Sequence, residues 1–195
     1  MWRRSYASAG VEDLCRLAGA QKGSFYHFFP TKSALAIAAL AYRWASLRRD
    51  VFDPLDQTGD SGLSRIAGLV ERLDGLQRQA IAAGQPMLGS PFGALGQEMA
   101  HQDHRVQAAL QEVFDDQCAY LRRWLDEAAA ARQIATGDNA IRARQLLALL
   151  EGAFLLAKVA GNPDLVATLC AAAAPVAGRL PVPARPPAGT PPELL

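Results

Sequence analysis

Residues 11–29, VEDLCRLAGAQKGSFYHFF, constrain this chain more than any other stretch, because they read as two short helices joined by a tight glycine turn. In the first, Val11, Leu14, Cys15 and Ala18 share one face at spacings of three and four, and Glu12, Asp13 and Arg16 fall outside it. Gly19 supplies the left-handed residue that stops this helix, and Ala20 is small enough for close helix packing. A second helix is expected from near Gln21 to Phe28, ended by Pro30. Its first turn, Gln21, Lys22, Gly23 and Ser24, is small, polar and basic. Such a turn suits the N-terminus of a helix that enters the major groove of DNA and meets base edges. Of the aromatic residues in and after this helix, Phe25 and Phe29 are expected inward, in a small hydrophobic core.

Residues 19–40, GAQKGSFYHFFPTKSALAIAAL, resemble the signature of the tetracycline-repressor family of bacterial transcriptional regulators. Gly19, Lys22, Gly23, Tyr26, Phe29, Lys32 and Leu35 stand where that family's pattern puts its turn, its recognition helix and the helix after it. The resemblance implies that Tyr26, His27 and Lys32 hold phosphates while Gln21, Lys22, Gly23 and Ser24 approach bases. A phenol, an imidazole and an ammonium along one rim can donate to phosphate oxygens, and such contacts set register without reading sequence. It also implies a homodimer on a palindromic operator, acting as a repressor and released by a small-molecule effector.

The chain departs from that pattern at its start. Only ten residues, MWRRSYASAG, precede the motif, where the family has a full helix packed across the other two. Trp2 and Tyr6 are expected to fill part of the gap, the head is expected to be locally loose, and the natural chain is expected to extend upstream by about one helix of a dozen or more residues. Gly10 is an acceptable helix cap and Gln21 a weaker one. The alternative reading is a dimeric small-molecule-binding protein that has lost DNA binding through this short N-terminus.

Charge separates the two parts of the chain. Residues 1–49 hold eight Lys/Arg against Glu12 and Asp13, so the remainder must be acidic for the whole to come out at +1. A basic head on an acidic body fits a head that meets a polyanion. Strand patterning is nearly absent and alanine and leucine dominate, which makes the class all-α: a helix-turn-helix head on a larger helical body. Cys15, Cys118 and Cys170 have no ligand spacing and sit in apolar helical contexts, as buried reduced thiols of a cytoplasmic protein would. The longest apolar run, residues 146–159, is broken by Glu151 and Lys158 and reads as a buried helix rather than a membrane span. His101 and His104 lack a third ligand nearby, so no metal is expected. No nucleophile elbow, phosphate loop or metal motif points to an enzyme, and no cofactor is implied.

After Pro30, Thr31 is a good cap for a helix over residues 32–51, which Pro54 and the polar run 56–62 should end. Further helices are expected over 63–83, 92–100, 103–131, 139–160 and 164–177, with breaks at Gly84–Pro91 and at Gly161, Asn162 and Pro163. The domains so drawn are a head with its linking helix at 1–49, a ligand-binding and dimerisation body at 50–180, and a proline-rich tail at 181–195, expected to be disordered. Residues 139–160 are apolar nearly all round and need cover on more than one side. With 164–177 they are the dimer candidate, through Leu146, Leu149, Leu150, Phe154 and Leu169. A pocket is expected from Phe92, Gln97, Met99, His101, Phe114 and Trp124, which mix aromatic, amide, thioether and imidazole groups. Where some relatives carry a cysteine that senses electrophiles, before the proline of the GxP stretch, this chain has Ser90. Thiol sensing is therefore not expected there.

Overall fold

The five long helices of the chain after residue 31 begin at a side-chain cap, and glycines in the left-handed region close two of the helices, at Gly19 and Gly161. The fold, a computed structural model in which residues 5–178 are described, starts with α1 at Val11–Ala18 and α2 at Lys22–Phe28. Gly19 ends α1 at φ 63°, in the left-handed region that glycine enters at little cost. Its N–H reaches the Arg16 carbonyl at 3.3 Å and that of Ala20 reaches Cys15 at 2.9 Å, meeting carbonyls the helix end would leave bare. Gln21 stands at the N-cap of α2 without a side-chain hydrogen bond. Then α3, Lys32–Leu47, opens on Thr31, whose hydroxyl accepts from the Ala34 N–H at 3.0 Å.

Pro54 does not end this helix. The chain widens into a π-helical turn over Arg48–Phe52 and continues as α4, Asp53–Asp56. In a regular helix the proline ring would strike the Asp50 carbonyl four residues back. Here the N–H of Asp53 pairs with the Arg48 carbonyl, five residues back, so the ladder has shifted by one before the proline arrives. Val51 and Phe52, on this turn, are almost wholly buried. Phe52 lies 5.1 Å from Trp44 and 5.2 Å from Tyr120, centre to centre, and stacks on Trp124 at 6.2 Å.

The body is built from α5 at Gly62–Ala82, α6 at Pro91–Met99, α7 at His104–Ala130 and α8 at Asn139–Ala160. Ser61, Ser90, Asp103 and Asp138 cap these four with side-chain oxygens. Gly62 is forced by packing, since a Cβ there would overlap the Trp124 carbonyl where α5 crosses α7. The last stretch is two helices rather than one, α9 at Asp164–Cys170 and α10 at Ala173–Val176. Pro175 has no N–H and its ring opposes the Ala171 carbonyl, so the helix breaks and the Ala172 N–H turns to Leu169 at 3.2 Å. The proline-rich tail lies outside the described residues, as does Trp2.

Candidate nucleic-acid interface

The reader is held by a small inward face. Phe25 and Cys15 are buried and Val11, Leu14 and Phe29 half-buried, whereas Ala18 is exposed. Phe25 meets Phe29 at 5.9 Å and Tyr26 at 5.1 Å. Gln21, Lys22, Gly23, Ser24, Tyr26 and His27 all face solvent on α2. Gly23 is not a packing requirement: a Cβ there would meet nothing within 4 Å, and its φ is not in the left-handed region. Lys22 Nζ donates to Glu12 on α1 at 2.8 Å, and this bond raises the Lys22 ammonium and lowers the Glu12 carboxyl from their ordinary values.

Lys32 differs from its neighbours on the rim. Half-buried, it donates to the carbonyls of Tyr6 at 2.8 Å and Ala9 at 3.2 Å, with Nζ 4.1 Å from the centre of the Tyr6 ring. It therefore fastens residues 5–9 to the start of α3, a role the sequence did not suggest. That segment is also tied to the body. The Glu98 carboxylate on α6 accepts from the N–H groups of Tyr6 and Ala7, both at 2.6 Å, and the Tyr6 hydroxyl lies 3.2 Å from Ser33. Ser33 in turn stands beside Asp103, the cap of α7, and with Arg105 it holds that carboxyl well below the usual carboxylate range. Glu98 and Asp103 thus join the head to the corner between α6 and α7.

Two cavities lie beside α6. An outer one of about 490 Å³, between α6, α7 and α8, is lined by Gln97, Gln107, Leu110, Phe114, Leu155 and Lys158 among others. An inner one of about 60 Å³ is lined by Arg43, Leu73, Gln77, Phe92, Gln117 and Phe154 among others. The two share Gly89, Ser90 and Glu151. Of the six pocket residues expected from sequence, Gln97 and Phe114 line the outer cavity and Phe92 the inner. Met99 and Trp124 are in the core, where the Trp124 Nε1 donates to Asp56 at 2.8 Å, and His101 is exposed; none of these three lines either cavity. Glu151, Ser90 and Gln117 were missed, because nothing in the sequence distinguishes a polar residue facing a cavity from one facing water. The Ser90 hydroxyl donates to Glu151 at 2.7 Å, and burial pushes the Glu151 carboxyl up, with Ser90 opposing. Gly93 permits this approach, since a Cβ there would overlap the Glu151 carboxylate.

Three of the five expected dimer residues are covered within their own chain. Leu146 is 1% exposed, and Leu150 and Phe154 are also buried within their own chain, because α8 packs on α7 along one side and on α9 along another. Leu149 and Leu169 are half-buried. The apolar residues of α8 that reach the surface are Ile141, Leu155, Leu156 and Val159, the last 77% exposed. Among the described residues, no helix is long and apolar enough to cross a membrane, and no group of three or more His, Cys, Asp or Glu could hold a metal.

A short helix pair with an exposed basic second helix, mounted on a helical body, defines a helix-turn-helix DNA-binding regulator. Residues 1–39 match the family of bacterial regulatory proteins described as the tetR family, and residues 62–173 match the tetracyclin repressor-like C-terminal domain. The chain belongs to the tetracycline-repressor family of transcriptional regulators. It is 30% identical over 162 residues to an uncharacterised HTH-type transcriptional regulator of Mycobacterium tuberculosis, covering 80% of this chain and 77% of that one. It is also 30% identical over 164 residues to the transcriptional regulator AcuR of Cereibacter sphaeroides, covering 83% and 72%. Among solved structures, a regulatory protein TetR from Rhodobacter sphaeroides superposes with a TM-score of 0.77 at 25% identity, covering 88% and 89%. The reduced form of NemR from E. coli shares the fold with a TM-score of 0.71 at 22% identity, covering 90% and 89%.

Proposed function

We propose that this regulator is an effector-responsive repressor that binds a palindromic operator as a homodimer. The observation that carries the reading is the first turn of α2, where Gln21, Lys22, Gly23 and Ser24 stand exposed and Gly23 leaves open space that the fold itself does not require. In this reading these four approach base edges, and Tyr26, His27 and Lys32 lie along the phosphates. Two of the three Lys32 donors are engaged within the chain, so its phosphate contact falls to the third.

The second copy joins along the outer stripe of α8, Ile141, Leu155, Leu156 and Val159. A two-fold dimer sets its readers about 34 to 36 Å apart, or a multiple, to meet successive major grooves. The effector enters the cavities beside α6. Because Glu98 on α6 holds the Tyr6 and Ala7 amides, a molecule that prefers a displaced α6 shifts the reader with it, and only by as much as it prefers that state.

Selection of bound sequences from a random duplex library by the purified chain tests this. The expected outcome is a two-fold symmetric site bound at a stoichiometry of one dimer. Failure to enrich any sequence, with a dimeric protein in hand, favours instead a small-molecule-binding dimer that does not read DNA.

A further inference from the structure

Glu151 carries a charge that its own chain does not neutralise. From α8 it faces the outer cavity, half-buried, and its Oε1 accepts from the Ser90 hydroxyl at 2.7 Å. That hydroxyl has a single proton and also caps α6, accepting from the Gly93 N–H at 3.2 Å, so it has no donor left for the second oxygen. Oε2 has no hydrogen bond among the described residues but, unlike the Gln117 amide nitrogen, it is not sealed within the packing. It lies against Gly93, where a Cβ would overlap it, so α6 leaves the space in which this oxygen stands. Burial pushes the carboxyl up and Ser90 opposes, and no lysine or arginine among the described residues joins Ser90 in doing so.

The wall narrows what can meet this oxygen. Among its described residues Glu151 is the sole carboxylate and Lys158, two turns further along α8, the sole cation. Lys158 is exposed, its stem lying over Gly89, so solvent screens its ammonium and the Glu151 charge stays unmet. Gln97, Gln107 and Gln111 are neutral, and the rest of the wall is largely apolar. A carboxylate drawn out of water costs free energy until an opposite charge with a proton to donate meets it. One water needs about 10–15 Å³ by the same measure, so about 490 Å³ holds far more than an ammonium group alone.

We propose that the outer cavity binds an organic amine, its ammonium donating to Glu151 Oε2 and its hydrocarbon body lying against Leu110, Phe114 and Leu155. This rests on the body being the effector-binding part, and it names the chemistry of that effector. An acid is repelled by Glu151, and an alcohol leaves the charge without a counterion, where a hydrogen bond between charged groups is about twice as strong as a neutral one.

The test uses the full chain without DNA at neutral pH, measuring thermal shift and calorimetric affinity with three probes of one shape: 3-phenylpropylamine, 3-phenylpropanol and 3-phenylpropionate. The amine is expected to raise Tm and to bind about tenfold or more tighter than the alcohol, and the acid is expected not to bind. In Glu151→Gln the amine should fall by about tenfold or more, the usual worth of a hydrogen bond to a charged group, while the alcohol keeps its affinity. The unliganded variant should melt at or above the wild-type Tm, because the amide retains Ser90 as a partner and the unmet charge is gone. Lys158→Met should bind the amine as well as the wild type or better. Should Glu151→Gln fail to fold, the order of the three probes on the wild type and on Lys158→Met still decides.

Four results would each overturn the proposal: preference of the wild type for the alcohol or the acid, equal amine affinity in Glu151→Gln, amine affinity lost in Lys158→Met, or no response to any probe. Amine binding in a chain that selects no operator would sink the repressor reading and leave this one standing. Operator binding without any amine response would do the opposite.

Discussion

Gly23 separates folding from recognition at a single carbon atom. A methyl group there meets no atom of the chain, and alanine is the better helix former by about 0.8–1.0 kcal/mol in a helix interior. Gly23→Ala is therefore expected to leave Tm unchanged or raise it. Operator binding should weaken by about tenfold, since one good contact to a base edge is worth roughly 1–3 kcal/mol. Fluorescence anisotropy on the selected site, beside a melting curve, checks both halves, and unaltered affinity would remove Gly23 from the interface. Lys22 offers a change of the opposite sign. Its partner Glu12 is an exposed carboxylate beside the phosphate path, and the pair contributes little to stability in solvent. Glu12→Gln should tighten DNA binding about two- to fivefold at low salt by freeing that ammonium and removing a repelling charge. A decrease in affinity would mean that the ion pair positions Lys22 instead of competing for it.

Among the elements, α6 lines both cavities and also holds the backbone of Tyr6 and Ala7. Two hydrogen bonds to a carboxylate are worth roughly 1.5–3 kcal/mol each, so Glu98→Ala should speed amide exchange at Tyr6 and Ala7 at least tenfold. Exchange unchanged at both amides would show that the head is held by Lys32 and Asp103 without α6. Neither contact was legible in the sequence, because Glu98 and Tyr6 are 92 residues apart and a carboxylate near a helix end reads as solvated. What was legible came from local chemistry: Thr31, Asp103 and Gly161 mark helix ends by capping and φ alone, and α8 was placed to the residue. Pro54 misled for a physical reason, since a proline ends a helix only if the hydrogen-bond register before it stays regular. The inward and outward sides of α8 could not be told apart, because a helix apolar all round carries no stripe to orient it.

At the scale of the whole molecule, the two sides of α8 give opposite mutational signatures. Val159→Glu or Leu155→Glu puts a charge on the outer stripe and should shift sedimentation from dimer to monomer with little change in the monomer's own melting. Leu146→Ala should instead lower stability by about 2–5 kcal/mol through a core cavity, leaving association at a given folded concentration alone. If Leu146→Ala dissociates the dimer and Val159→Glu does not, the two copies meet elsewhere. The π-helical turn at Arg48–Phe52 sets one further property, the angular phase between reader and body. Each residue of a regular helix turns the chain by about 100°, so a single insertion in the linking helix would normally swing the head away from its groove. The wide turn accommodates one extra residue within its own circumference and keeps the two ends facing as before. Removal of Arg49 should accordingly preserve the direction in which α2 points, but only when Pro54 is also replaced by alanine, since a regular ladder would drive the proline ring into the carbonyl four residues back. Operator affinity retained in the double change and lost in the deletion alone is the expected pattern. The linking segment then acts as a length-tolerant joint, in which a proline fixes the one register that keeps both ends in phase.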